Sequence, residues 1–350
     1  VGIVSDEQIV AIRTHTGVPV YQFRGDRIVQ MEWTREQREV STCDLVLPPV
    51  TGVDDLPTPW LHWVDVWNGD GDERYWSGPI VDVTLDHRAM TVAASDAATW
   101  AGGTRCPITK RWEAADPAQI AGELWDGMIE VQGLQTRPVV RFDPRGGRFD
   151  FASSNKDGQV EMLDQTIRRL VEVGQLHWTV VAGRPILGPA PFDSVAELGE
   201  HHFVGENAFR LHRSGGQMFN DVMVRGADAV VTKRVEAGGL NRQTIKDIES
   251  MFGVSNLDRA AHQLVRYTGA VRDSITMPNG AVLAPDAPVT IGELIPSARF
   301  VVEAFGLLAV MELDQVSVTY SQGVSQVAVK LEAVNDDLPE LLSAGLGVDQ

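Results

Sequence analysis

The chain is short of most of what catalysis needs. Cys43 and Cys106 are the only cysteines in 350 residues, and neither sits in a CxxC or other redox-like motif. Cys43 alternates with Leu45 and Leu47 on what reads as the apolar face of a strand, so a buried free thiol is expected. A Cys43–Cys106 disulfide is the lesser alternative for a chain made in a reducing cytoplasm. No Lys follows a Gly, so no phosphate-cradling GxxxxGK loop exists; no GxGxxG opens a helix, and HExxH and GxSxG are missing. Basic charge is scarce as well: 30 Lys and Arg face 48 Asp and Glu, for a formal net charge of −18 and a pI of about 4.8. That balance argues against a sequence-independent grip on nucleic-acid phosphates and against docking on an anionic membrane. No apolar run approaches the roughly 20 residues of a membrane-spanning helix. The opening residues, Val1 to Glu7, carry neither the basic region nor the apolar stretch of a signal peptide.

What remains is a globular composition, 43% hydrophobic and 22% charged, at a length that suits two or three domains. The most informative feature is a hairpin written twice, about 235 residues apart. Val81-Asp82-Val83-Thr84-Leu85, a break at Asp86-His87-Arg88 and Met90-Thr91-Val92-Ala93-Ala94 form the first copy. Val316-Ser317-Val318-Thr319-Tyr320, a break at Ser321-Gln322-Gly323 and Val327-Ala328-Val329-Lys330-Leu331 form the second. Every second residue is apolar, the period of half-buried antiparallel strands. Two related β-modules in one chain explain the pair; chance similarity of alternating hairpins is the alternative.

Strands are expected from Val18 to Ile108. Val29, Met31 and Trp33 alternate with polar residues, Cys43, Leu45 and Leu47 do the same before Pro48-Pro49, and Trp60 to Trp67 reads as a strand apolar on both faces. The middle is α+β. Asp116 and Pro117 cap a helix carrying Ala121, Leu124, Trp125 and Met128. A second helix buries Val160, Leu163, Ile167, Leu170 and Val171 and stops at Gly174, before a hairpin around Gly183. A strand resumes over Met218 to Gly226. A polar stretch from Glu236 to Asp247 interrupts, and a helix follows, with Ser255-x-x-Asp258 as capping box, Leu257, Ala260, Ala261, Leu264 and Val265 as buried stripe and Gly269 as its end. Arg299 to Ala304 returns to strand, and the acidic segment Asn335 to Gln350 reads as a loosely held tail.

Each candidate for chemistry has a plainer competing reading. His201-His202 are adjacent, and on a strand they would point to opposite faces and not share a metal; a polar loop flanked by Glu200 and Glu206 suffices. Asn68-Gly69-Asp70-Gly71-Asp72-Glu73 is oxygen-rich like a calcium loop, without the twelfth-position Glu of an EF-hand; a hairpin turn suffices. Arg105 beside Cys106 would favour a thiolate, but no orienting constellation accompanies it. Among 48 acidic residues no glycosidase pair can be selected. Trp60, Trp63 and Trp67 crowd one strand and suggest a sugar platform, against the plainer reading that large rings fill a core or subunit interface. No catalytic, cofactor-binding or metal residue is assigned, and no cofactor is expected.

The order of elements resembles the tail hub, or baseplate hub, proteins of tailed bacteriophages, most of all minor tail proteins of long-tailed actinobacteriophages. The matching stretches are Gln30 to Trp33 with Val40 to Pro48, Trp76-Ser77-Gly78-Pro79-Ile80-Val81-Asp82-Val83, Phe219 to Gly226, Asp247 to Gly253 and Val327 to Leu331. The resemblance implies an α+β, β-dominated fold with two tail-tube-like β-barrel domains, an α+β region and a helical insertion. The expected division is 1–112 for the first barrel and 113–205 for the α+β domain. Residues 206–235 plus 291–335 are a split second barrel, 236–290 a helical insertion packing with the α+β domain, and 336–350 the acidic tail. The implied role is a non-enzymatic, structural virion protein of a siphophage tail tip, made in the host cytoplasm. As a homotrimer it would form a pseudo-sixfold ring lining the DNA channel. Implied partners are further copies of itself, a distal tail protein or tube ring above, tip or receptor-binding proteins below, the tape measure protein, and DNA passing without specific binding. With the chain ending near Gln350, no appended enzymatic domain is expected. A cell-wall hydrolase or glycan-binding tail protein, and a hexameric distal tail ring protein, are the alternatives.

Overall fold

The computed structural model describes residues 7–142, 149–156, 158, 160–174, 176–188, 194–205, 208–216, 218–226, 229–247, 254–321 and 324–334. The tail 336–350, most of the Asp247 to Gly253 stretch and part of the second twin's turn lie outside these residues. The chain divides into two compact units, one of residues 1–208 and 277–332 and one of residues 209–276 and 333–350. In chain order the first unit contributes β1 (Ile9–Thr14), β2 (Pro19–Arg24), β3 (Gln30–Glu36), β4 (Thr42–Leu47), β5 (His62–Trp67), β6 (Arg74–Leu85) and β7 (Met90–Ser95). Next come α1 (Thr99–Gly102), β8 (Lys110–Ala115), α2 (Pro117–Gln132), β9 (Val139–Val140), β10 (Phe149–Ser153) and α3 (Leu163–Gly174). β11 (His177–Val181), β12 (Arg184–Gly188), β13 (Ser194–Gly199) and β14 (Phe203–Val204) follow. The second unit holds β15 (Arg210–Ser214), β16 (Asp221–Arg225), β17 (Val230–Arg234), β18 (Gln243–Asp247), α4 (Val254–Thr268) and β19 (Arg272–Thr276). The chain then re-enters the first unit as β20 (Ala281–Leu283), β21 (Arg299–Ala304), β22 (Leu307–Ser321) and β23 (Val324–Ala333).

Strands dominate, and the main sheet of the first unit curls into a half-barrel. It has 13 strands in the order β14-β20-β23-β22-β3-β4-β7-β6-β5-β1-β2, with β21 joining β22 and β13 joining β21. Both twin hairpins therefore lie in one sheet, separated by the β3–β4 pair. In each twin the first strand changes partners along its length. The start of β6 pairs with β5 and its end with β7, across a register shift between Ile80 and Asp82. The start of β22 pairs with β21 and its end with β3. A strand that changes partners bends the sheet there. The alternation read from the sequence decides what is buried: Val316, Val318, Tyr320, Val327, Val329 and Leu331 face the core, as do Met90, Val92 and Ala94. Val81, Val83 and Leu85 are only half-buried.

The α+β region builds a second core in the same unit. Asp116 Oδ1 accepts the amide of Ala118 at 2.8 Å, Pro117 follows in the first helical turn, and Gly133 ends α2 in a left-handed conformation. Ile120, Ala121, Leu124, Trp125 and Met128 then pack against Leu163, Ile167 and Leu170 of α3 and Trp178, Val180 and Leu187 of the β11–β12 hairpin. In the second unit, α4 lays Leu257, Ala261, Leu264 and Val265 on Val222 and Val224 of a three-stranded sheet ordered β17-β16-β18.

Several boundaries differ from the sequence reading. Trp60 and Leu61 are not part of β5: Trp60 has φ +67°, its amide donates to the Ile80 carbonyl at 2.8 Å, and its ring packs edge-on against Trp100. Val160 precedes α3. Phe219 and Asn220 lie before β16. Asn220 instead accepts the Arg242 amide and donates to the Val235 and Leu240 carbonyls, tying a loop where a ladder was expected. The polar stretch 236–247 contains β18, parallel to β16, because the ladder bonds of a strand do not require an apolar face. Ser255 falls inside α4 and so does not precede it as a cap.

Candidate functional site

The sequence-singled residues are spent on structure. His201 and His202 sit in one short helical turn, where His202 Nδ1 accepts the Gly199 amide at 3.0 Å. Asn68 Oδ1 accepts the amides of Gly71, Asp72 and Glu73, and its NH₂ donates to Asp72 at 2.6 Å, so that run is a capped hairpin turn. Among the described residues no three His, Cys, Asp or Glu side chains converge as metal ligands. Cys43 and Cys106 are buried free thiols, so the disulfide alternative is not realised, and burial pushes the Cys43 thiol well up.

The tryptophan strand leads to a cleft. One face of β5 carries Val64 and Val66 into the core. The other carries Trp63, Asp65 and Trp67, and register sets their neighbours: Arg13 and Pro79 beside Trp63, Ala11 and Ser77 beside Asp65, Ile9 and Arg74 beside Trp67. The result is a cleft of about 470 Å³, whose far wall is Leu134, Gln135 and Thr136 after α2 and the Ala182-Gly183 turn of the β11–β12 hairpin. Thr136 Oγ1 donates to the Gly183 carbonyl at 2.9 Å, joining those two walls. Gly183 has φ +75°, and a β-carbon there would come within 3.0 Å of Ser77 Cβ, so the turn fits against β6 only without a side chain.

At the floor, the Asp65 carboxylate is 4% exposed and accepts from Arg13 Nε at 2.7 Å and Ser77 Oγ at 2.6 Å. Arg74 Nη1 stands 3.6 Å from the same carboxylate. The guanidinium of Arg13 lies 5.0 Å from the Trp63 ring and that of Arg74 5.5 Å from Trp67. Two of the three suspected platform rings are thus already covered by arginine, and the third, Trp60, is elsewhere. Sequence reasoning missed Arg13, Arg74 and Ser77. The legible signal was Asp65, a lone carboxylate inside an apolar strand; its partners, 52 and 12 residues away, were not.

Three further polar groups shape the first unit, Arg35 and Asp96 buried and His177 half-buried. Arg35 is 1% exposed and donates to the carbonyls of Ile291, Leu294 and Tyr75 at 2.7, 2.9 and 2.9 Å, over the Trp33 ring. Burial lowers its pKa to about 10, against the opposing field of Glu73. Asp96 accepts the amides of Ser41 and Ala98 at 2.9 and 2.8 Å, and burial nevertheless raises it to about 7. His177 falls to about 4, chiefly through burial and then through Arg38 and Arg299. Glu312, 3.6 Å from His177, does not offset this because Gln37 and Arg299 also engage it.

No family model matches the sequence, and no curated protein does. Solved structures do match, nearly end to end. The 43 kDa tail protein of prophage MuSo2 from Shewanella oneidensis superposes at TM-score 0.56 and 14% identity, covering 95% of this chain and 98% of that one. A tail protein from Neisseria meningitidis gives 0.56 at 14% identity, covering 94% and 97%. The fold is that of phage tail proteins. A prophage tail protein from Listeria monocytogenes shares the tail-protein fold at TM-score 0.51 and 8% identity, covering 97% and 98%. Coverage this complete means that the curled sheet, the α+β region and the second unit all belong to the tail-protein fold, with the cleft of Asp65 set between two of its parts.

Proposed function

We propose that this chain is a structural hub protein of a phage tail tip, trimeric and without catalytic activity. The observation that carries the reading is the superposition of nearly the whole chain on three tail proteins, at identities that leave the fold as the common element. The twin hairpins add to it. Each twin hairpin would anchor one tube-like module, one within residues 1–112 and one within residues 291–335. Residues 113–205 would form the α+β domain, 236–290 a helical insertion, and 336–350 an acidic tail. Three chains would then present six modules to a sixfold tube above and narrow to threefold below, which also hides sheet edges. The distal tail protein or tube ring, the tip or receptor-binding proteins and the tape measure protein are the proposed neighbours. The net charge of −18 suits a channel whose walls repel DNA phosphates so that DNA slides through.

Cryo-electron microscopy of tail-tip particles tests this. Threefold density on the tail axis, with two similar modules per chain beneath a sixfold ring, is expected. Sixfold density with one module per chain would replace the hub with a distal tail ring. An off-axis position, or clearing of host peptidoglycan in a zymogram, would replace it with a glycan-binding or cell-wall-cleaving tail protein.

A further inference from the structure

The charge count at the floor of the Asp65 cleft does not close. Among the described lining residues Asp65 is the one carboxylate, and it faces two guanidiniums. Arg13 takes it in a close, charge-assisted hydrogen bond, reinforced by Ser77. Arg74 is left at 3.6 Å, beyond ordinary hydrogen-bond reach, with only the edge of the same charge. Among the described residues its buried Nε has no hydrogen-bond partner, and neither has the buried indole Nε1 of Trp63 on the same cleft. Buried donors without acceptors are costly, and two of them on residues that line one cleft mark its floor as short of acceptors. The surplus is positive, in a protein whose net charge is −18. The cleft volume lies within the range of small-ligand sites.

We propose that the cleft binds a carboxylate. A planar guanidinium matches the two oxygens of a carboxylate, and the Arg74 side chain is 30% exposed, so Arg74, through its Nη groups, is the anchoring group. Trp67, beneath Arg74, and Pro19 and Leu134 on the walls give the carbon stem an apolar surface. The ligand is accordingly an acid with a short apolar stem, such as a glutamate-type side chain or a small dicarboxylate. This inference concerns the isolated chain and does not depend on where the protein sits in a virion.

The test uses the full chain with ¹⁵N-labelled tryptophan indoles, titrated by NMR with glutarate, with inorganic phosphate, and with sodium chloride at matched ionic strength. One indole resonance, absent from a Trp63→Phe variant, is expected to move saturably with glutarate at about millimolar concentration. Arg74→Gln, a change at a partly exposed side chain, is expected to weaken that response about tenfold or more while leaving the indole signals other than those of Trp63 and Trp67 in place. No saturable movement, an equal response to chloride, or an undiminished response in Arg74→Gln would overturn the site. A larger response to phosphate than to glutarate would overturn the carboxylate assignment. N-acetylglutamate amide and glutarate, compared in the same titration, separate a side-chain source of the carboxylate from a free dicarboxylate.

Discussion

At the scale of single residues, Gly78 shows what a weak sequence motif contains. In Trp76-Ser77-Gly78-Pro79-Ile80, Trp76 and Ile80 fill the core, while Ser77 holds Asp65 from the other face. A β-carbon on Gly78 would overlap the carbonyl oxygen of Ser95, a backbone atom that cannot step aside. Gly78→Ala is therefore expected to cost more than about 3 kcal/mol, read as a lowered denaturant midpoint or loss of cooperative unfolding. Arg35 acts as a clamp between β3, β6 and the segment before β21. Removing it leaves three carbonyls without their donor, so Arg35→Ala should destabilise by about 3–5 kcal/mol, with Arg35→Lys in between because one ammonium cannot reproduce the planar fork. Asp96 and His177 set opposing pH dependences. The Asp96 carboxyl, raised from 3.8 to about 7, holds more proton folded than unfolded between those values, so its contribution to stability falls as pH rises through them. His177, lowered from 6.5 to about 4, holds less proton when folded, so its contribution rises with pH across that window and is complete above it. Relative to the wild type, the slope of the denaturant midpoint against pH from 4 to 7 at fixed ionic strength should be more negative in His177→Gln and more positive in Asp96→Asn. Unchanged slopes in both variants would contradict the assignment.

Local rules predict elements well where one face decides and poorly where a partner does. The cap at Asp116 and the spacing of Ala121, Leu124, Trp125 and Met128 fixed α2 before any contact was known, and the structure keeps both. Asp116→Ala should cost about 1 kcal/mol by freeing the Ala118 amide, measurable as a shift in thermal midpoint with unchanged helical signal. The spacing of Gln243, Lys246 and Asp247 gives no apolar period and so no strand signal; β18 is a strand because β16 offers a ladder edge. The aromatic ring of Trp60 favours placing it in β5. It lies outside because its amide is taken by Ile80 and its positive φ turns the chain. The tryptophan cluster likewise looked like one platform, and strand alternation split it: positions 63 and 67 share a face with Asp65, and position 60 precedes the strand.

For the whole molecule, charge is the lever on assembly. Copies that each carry a net −18 repel one another in dilute buffer, and salt screens that repulsion over a few ångströms to tens of ångströms. On the hub reading, raising ionic strength from about 0.05 to 0.5 M should shift sedimenting mass toward three times the chain mass of 38.2 kDa. Dissociation with added salt would instead point to contacts made mainly by opposite charges.

The sequence by itself determined the periodicities, and with them most strands, the capped helix α2, the buried stripe of α4 and the recurrence of one hairpin pattern. These are local consequences of side-chain spacing. It also excluded the motifs that are contiguous in the chain, such as GxxxxGK and HExxH. Only the tertiary structure decided that the twin hairpins share one curled sheet, that Arg35 clamps carbonyls more than 250 residues away, and that Arg13 and Arg74 meet over a single carboxylate. Those facts depend on which strand edges pair. Pairing is chosen by the burial of the whole sheet, a sum over residues far apart in sequence, and no short window of the chain contains it.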